Sequence, residues 1–300
     1  MSNTKLRSAS FSIDYMIRQM NISSYSSRAD MRTMLIRCIK DLHELGFKVG
    51  HIKGIKEPQV AALIDHWKAQ EKNPATIKNY MAKLRKVANH HGTPSMIHPD
   101  NSAYGISSRS YASAVNKAIS NIDLSKCNDP YIRLALEGQA LFGFRREESL
   151  KFILSKARDR DYLTIHPSWT KGGIGRIIKI RSEEQRQWLD KVGQLVKPGQ
   201  SLIPADKSYK QQLGHYKTIT ASLGLSNLHG LRHAYAQRRF QELTAHFDAR
   251  KQGLLAPIAG GKNYKELSQI EKDWDRKARQ MISRELGHSR VSILAVYCGK

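Results

Sequence analysis

The sequence predicts a mainly α-helical protein of two domains, the second carrying a small antiparallel β-hairpin. Three observations point there. Apolar residues recur at three-and-four spacing through much of the 300-residue chain, the period that gathers them on one face of a helix. That periodicity breaks over residues 121–129 (NIDLSKCND), a polar stretch that reads as a linker. Tyr162-Leu163-Thr164-Ile165 and Arg176-Ile177-Ile178-Lys179-Ile180 alternate as strands do, with Gly172, Gly173 and Gly175 between them as a turn.

Residues 1–25 are polar and Ser-rich and read as an N-terminal arm with a single helical turn around Tyr15-Met16-Ile17. From Ser27, the residues Met31, Met34, Leu35, Cys38, Ile39, Leu42 and Leu45 make a helical stripe that Gly46 ends. A second helix opens near Glu57-Pro58, where proline is tolerated in the first turn, with Val60, Leu63, Ile64 and Trp67 inward. A third follows Asn73-Pro74, burying Ile77, Tyr80, Met81, Leu84 and Val87. Its other face carries Lys78, Arg85, Lys86 and Asn89, either a solvated surface or a phosphate-contacting one. A fourth helix over 109–121, with Tyr111, Val115, Ala118 and Ile119 inward, completes an all-α domain at 26–121.

The linker at 122–129 leads to a second domain at 130–300. There the pattern predicts helices over 130–142, interrupted by Gly143, and over 145–155, then the hairpin. Ser182-Glu183-Glu184 is a helix start, with acidic residues at the positive end of the dipole. Further helices are expected over 183–196, 207–222, 231–245, 275–286 and 290–297. Residues 246–275 are polar, glycine-rich and then strongly charged.

Charge narrows the partner. Fifty Lys and Arg against 26 Asp and Glu give +24. Residues 1–126 hold 19 basic and 9 acidic residues, net +10, and residues 127–300 hold 31 and 17, net +14. Both halves are basic, as a protein gripping a polyanion between them would be. Forty per cent hydrophobic content argues against disorder. Cys38, Cys127 and Cys298 are too few and too scattered for a disulfide framework or a zinc site. No apolar run approaches the roughly 18 residues that span a bilayer, and no signal-peptide core opens the chain. These readings predict a cytoplasmic protein, nucleoid-associated when bound to DNA, with no membrane partner, no metal and no cofactor. No P-loop and no paired-carboxylate nuclease pattern is found.

The chemistry sits in short boxes: Gly143-Phe144-Arg145-Arg146-Glu147-Glu148, Thr170-Lys171-Gly172-Gly173, His229-Gly230-Leu231-Arg232-His233, and Leu286-Gly287-His288 with Tyr297 nine residues further on. Singly each has a bland reading: a helix-surface ion pair, a hairpin, a structural histidine, a core tyrosine. Together and in this order they resemble the tyrosine recombinase (phage integrase) family, over about 130–300. The helical first half is similar to the family's core-binding domain, less specifically. The resemblance implies a SAM-like all-α core-binding domain and a catalytic domain forming a two-domain DNA clamp. It implies catalytic roles for Arg145, Lys171, His229, Arg232, His288 and Tyr297. Lys78, Arg85, Lys86 and Arg146 are candidate DNA contacts.

The implied reaction is cleavage of double-stranded DNA at specific sites by Tyr297, forming a 3′-phosphotyrosine and releasing a 5′-hydroxyl. Arg145 and Arg232 would each hold phosphate oxygens with a bidentate fork, strongest where negative charge develops. Lys171 would protonate the leaving oxygen. His229 would accept the phenol proton, since imidazole titrates near neutrality, and His288 would hydrogen-bond a phosphate oxygen or assist in proton handling. A homotetramer on two DNA sites and an accessory directionality factor are the implied partners, and a mobile genetic element the implied setting. Three departures stand out. The front of the chain is too short for an extra arm-binding domain. Arg232 and Leu286 lie 54 positions apart, wider than the family pattern, so 246–275 reads as an insertion. Three residues after Tyr297 cannot form a docking helix, so subunit contacts would come from elsewhere, the insertion foremost. Alternatives are a type IB topoisomerase-like enzyme, an Xer-type dimer resolvase, or a DNA-binding protein with a relic site.

Overall fold

The computed structural model describes residues 2–22, 24–107 and 115–300. It divides into two compact units, Met1–Ser110 and Tyr111–Lys300.

The first unit is helical. It contains α1 (Ser2–Gln19), α2 (Tyr25–Glu44), α3 (Glu57–Ala69) and α4 (Pro74–His90), with short 3-10 turns at Ile52–Gly54, Pro94–Met96 and Ser102–Tyr104. The predicted stripes of α2, α3 and α4 are buried as expected, except that Tyr80 is only partly so and Leu45, just past α2, is exposed. The Trp67 indole donates a 2.8 Å hydrogen bond to Asp41, so the largest core side chain and a buried carboxylate satisfy each other. The expected arm at 1–25 is instead an 18-residue helix. Its Ala9, Ile13, Met16 and Ile17 lie in the core. Their three-and-four spacing was masked by serines, which weaken helix propensity without preventing a helix that has a core to pack on.

The fourth predicted helix does not continue as read. Residues 108–114, including Tyr111, lie outside the described residues, and 115–121 are not helical. Asn116 accepts the Ala118 N–H through its side chain, offering the backbone a local alternative to a helical bond. The Ile119 N–H donates to the Gly230 carbonyl at 3.0 Å. Ile119, Ile122 and Leu124 pack on the second unit's core, where Cys127 is buried and Asp129 caps the next helix. The stretch read as a linker is thus the first layer of the second unit.

That unit runs α5 (Pro130–Phe142), α6 (Arg146–Leu150), α7 (Leu154–Ala157), strands β1 (Arg158–Asp159), β2 (Tyr162–Ile165) and β3 (Arg176–Lys179), then α8 (Glu183–Leu195), α9 (Tyr209–Ser222), α10 (Gly230–Phe247), α11 (Gln269–Glu285) and α12 (Ala295–Cys298). The helix expected over 145–155 is two short pieces around the buried Phe152. The sheet is antiparallel in the order β1-β2-β3, with Leu163 opposite Ile178 and Ile165 opposite Arg176. Phe142, Phe144, Phe152 and Trp188 cluster beneath it at ring distances of 5.1–6.1 Å, a packed base on which α5, α6 and α8 are fixed. A smaller core of Tyr235, Phe240, Ile282, Leu286 and Leu294 joins α10, α11 and the tail. Helix α11 starts six residues before its predicted position, because Ser268 and Glu271 form a capping box. Within residues 246–275, Ala256 and Leu267 are buried. Among the described residues no helix is long and apolar enough to cross a membrane.

Candidate active site

Four chain segments converge on Tyr297. The first is the turn after α5. Gly143 closes that helix at φ +64°, and a Cβ there would lie 2.5 Å from the Tyr235 ring. Only glycine combines that backbone with that approach. Arg145 follows as the residue before α6. Its guanidinium donates to Glu148 Oε1 at 2.6 Å, and its backbone N–H donates to the other Glu148 oxygen at 2.7 Å.

Glu148 is 1% exposed and surrounded by arginines. Arg176 donates two hydrogen bonds to it, at 3.0 and 2.7 Å, and Arg232 stands 3.9 Å away. Burial pushes the carboxyl pKa up, but the Arg176 hydrogen bonds and the charges of Arg176, Arg232 and Arg145 together outweigh it and hold the value at about 2. The carboxylate therefore stays ionised and gives three cations one shared counter-charge.

Arg232, on α10, is 1% exposed. It donates to the carbonyls of Gly143 and Leu286, which come from opposite ends of the unit's sequence. Its Nε–H has no hydrogen-bond partner among the described residues. Burial, and next the charge of Arg145, lower its pKa to about 10, so it remains cationic at neutral pH. Two of its donors are spent on backbone, which leaves the Nε edge and the remaining N–H groups for an anion rather than a wholly free fork.

The phenol lies within this ring of charge. Tyr297 is 5% exposed, and its oxygen is 3.3 Å from His229 Nε2. The rings of His233 and His288 stand 4.4 and 5.4 Å from the tyrosine ring. His233 Nδ1 and His288 Nε2 have no partner among the described residues. Unsatisfied buried polar atoms cost about 1–3 kcal/mol each, and three around one phenol mark a place shaped for a polar ligand. Burial, then the charges of Arg232, Arg145 and Arg176, push His288 down to about 3. Burial, then His229, push His233 down to about 4. His229 is also lowered, by burial and then by Arg232 and Arg145. All three imidazoles are neutral at pH 7 and can accept a proton.

The structure brings Arg145, His229, Arg232, His288 and Tyr297 together. Lys171 stands apart, exposed on the turn between β2 and β3, without a hydrogen-bond or ion-pair partner among the described residues. Arg146 is exposed and lies 6.0 Å over the Tyr216 ring. It lines a groove of about 420 Å³ with Tyr216, Lys217, Asn227 and His229, open to an anionic ligand beside the site. In the first unit Lys86 is exposed and Lys78 half-buried. The Arg85 guanidinium donates to the His98 carbonyl at 2.7 and 3.1 Å and to Asn101 at 2.8 Å, which braces a loop.

Three contributors were missed in the sequence. His233 falls four residues after His229, hence on the same helical face. Arg176 was placed only within a predicted strand, yet inward Ile178 and Ile180 put it on the buried register. Glu285 is the third: its carboxylate accepts from Arg239, Arg181 and Tyr235, and its carbonyl accepts from Arg176 at 2.6 Å. No local pattern marks it.

These pKa directions carry a stability consequence. The site histidines bind protons more weakly folded than at the ordinary 6.5, so the unfolded chain protonates first as pH falls. Stability is full above about 6.5 and declines toward the folded values of about 4 and 3. Glu148 adds a loss in the same direction, beginning below 4.5 and running toward about 2. The melting temperature should therefore fall steadily from pH 7 to pH 4, and His288→Asn should flatten that slope. A melting temperature constant over this range would contradict the assignment of neutral, buried imidazoles.

Residues 10–97 match the family described as phage integrase, N-terminal. No curated protein sequence matches the chain. Among solved structures, the XerH site-specific recombinase bound to palindromic difH substrate in a post-cleavage complex aligns over 96% of this chain and 80% of its own, with 16% identity and a TM-score of 0.56. A lambda integrase tetramer bound to a Holliday junction aligns over 87% of this chain and 79% of its own, at 17% identity and a TM-score of 0.53. A lambda integrase dimer on a COC' core site covers 80% and 93%, at 16% and 0.53. Likeness at such identities is a likeness of fold, and the fold is that of XerH and lambda integrase.

Proposed function

We propose that this chain, which carries the tyrosine-recombinase fold, is a site-specific DNA recombinase of a mobile genetic element. It cleaves and rejoins double-stranded DNA through a 3′-phosphotyrosine link. The observation that carries this reading is the buried Tyr297 hydroxyl, 3.3 Å from a neutral imidazole and ringed by arginines. A phenol is a weak nucleophile at pH 7 and needs both a base and nearby positive charge.

Tyr297 Oη attacks the scissile phosphorus and passes its proton to His229 Nε2. Arg145 and the free edge of Arg232 take the charge that develops on the non-bridging oxygens, where preorganised donors act most strongly. His288, as a neutral imidazole carrying its proton on Nε2, donates to the same phosphate. The P–O5′ bond breaks, and the 5′-oxygen takes a proton from Lys171, which the hairpin carries to it when DNA is bound. Attack by a 5′-hydroxyl of another strand reverses every step, so the bond energy is kept and no nucleotide is hydrolysed. The DNA complexes of XerH and lambda integrase support a duplex DNA partner. The lambda integrase tetramer on a Holliday junction supports a four-protomer assembly.

The test is capture on duplex DNA nicked next to the scissile phosphate, so that the released fragment escapes. Attachment through a 3′ phosphate, mapped to Tyr297 by peptide sequencing, is expected. Attachment to any other residue would remove the assignment. Lys171→Ala should slow cleavage of an ordinary phosphodiester by about 10²–10⁴-fold. A 5′-bridging phosphorothiolate should restore most of that rate, because a thiolate leaves without a proton. Failure of the restoration would take Lys171 out of the general-acid role.

A further inference from the structure

The segment between α10 and α11 and the tail that carries Tyr297 are built against each other. Asp248 winds residues 248–253 into a closed loop by accepting the N–H groups of Arg250, Gln252 and Gly253. The Leu254 N–H then donates to the Thr244 hydroxyl at 2.8 Å, and Ala256 is buried. Pro257–Ala259 forms a 3-10 turn, closed by the Gly261 N–H on the Ala256 carbonyl.

Gly299 lies on this turn. Its φ is +79°, and a Cβ would stand 2.8 Å from the Ile258 nitrogen and 3.2 Å from Pro257 Cβ. Its carbonyl accepts a 2.8 Å hydrogen bond from Arg279, which is itself held by two bonds to Asp275 at 2.8 and 2.9 Å. The Tyr297 carbonyl accepts from Gln237 at 2.9 Å, and Cys298 between them is fully buried. The backbone on either side of Cys298 is thus held from two helices, α10 and α11, while the turn holds Gly299. A tyrosine side chain has two torsions, so its hydroxyl stays in place only if its backbone does. A displacement of about 1 Å at a reacting atom can cost about 10²-fold in rate.

We propose that residues 254–261 and Arg279 form a clasp that seats Tyr297 in the site of its own chain and thereby sets the rate of attack. The clasp residues are positioning groups, acting through the tail backbone and not on the reacting atoms. This rests on the reading of Tyr297 as the nucleophile, and it gives the long segment after α10 a role.

Two full-length variants test it. Gly299→Val drives a side chain into the Ile258 backbone, and Arg279→Lys keeps the charge beside Asp275 but loses the fork that also reaches the Gly299 carbonyl. Both should speed amide hydrogen exchange over 295–299. Both should slow single-turnover attachment to nicked DNA by about 10–10²-fold, with DNA affinity unchanged. An equimolar mixture of Tyr297→Phe and Arg145→Ala chains, each unable to attach alone, should give no attachment. Unchanged exchange in both variants would overturn the clasp whatever happens on DNA. Faster exchange with a normal attachment rate would overturn its control of attack. Attachment by the mixed pair would show the tyrosine serving a neighbouring chain. Failure of the wild type to attach would instead sink the nucleophile assignment, with hydrogen exchange still deciding whether the clasp exists.

Discussion

Tyr297→Phe should abolish covalent attachment to DNA, by at least about 10³-fold, and leave DNA affinity within twofold. The phenol oxygen is the only atom removed. Its one hydrogen bond among the described residues, 3.3 Å to His229, is worth about 1 kcal/mol to the fold. The ring keeps its contacts with His233 and His288, and the arginines keep their backbone carbonyls. Binding energy and site geometry survive while the nucleophile is lost. Denaturing gels of protein mixed with nicked duplex report attachment, and a mobility or anisotropy titration reports affinity. Residual attachment near the wild-type rate would mean that another group attacks. A parallel collapse of affinity would mean that the hydroxyl holds the site together.

Glu148→Ala should cost about 3–5 kcal/mol of stability, the usual effect of removing one partner from a buried ionic network. Arg176 and Arg232 side chains are 3% and 1% exposed beside the carboxylate. Without it they repel one another and Arg145 with little solvent to screen them. Glu148→Gln keeps the shape and part of the hydrogen bonding, so its loss should be smaller. Urea unfolding of the full chain measures both, with the midpoint falling and the slope unchanged. A loss below about 1 kcal/mol for Glu148→Ala would show that water reaches the arginines. The same variant should impair cleavage, since the positions of Arg145 and Arg232 depend on the carboxylate.

Much of the site was legible in the chain because its groups come in local boxes. Gly143 to Glu148 encodes a helix stop, a left-handed glycine and a capping pair within six residues. His229 and Arg232 share one helical face. What the boxes omit are groups whose importance comes from partners far along the chain. Glu285 matters because it anchors the end of α11, whose carbonyls receive Arg176 and Arg232. Arg85 also braces a loop through His98 and Asn101, which no local pattern announces. The serine-rich first residues concealed α1, and the polar stretch before Asp129 concealed buried Ile119 and Cys127. In both, composition described the solvent side of segments whose other side packs on a core.

The helical class, the hairpin and the residues able to do phosphoryl transfer follow from periodicity and side-chain chemistry, which are local. Whether Tyr297 is free or held is not. The sequence around Tyr297 does not reveal how the tail is held. In the fold it is seated by Gln237, Arg279 and the turn at Pro257–Ala259, contacts between positions 20 to 60 residues apart. Such contacts form only after helices α10 and α11 have packed, because side chains from separate helices meet the tail only where the shared core brings them together.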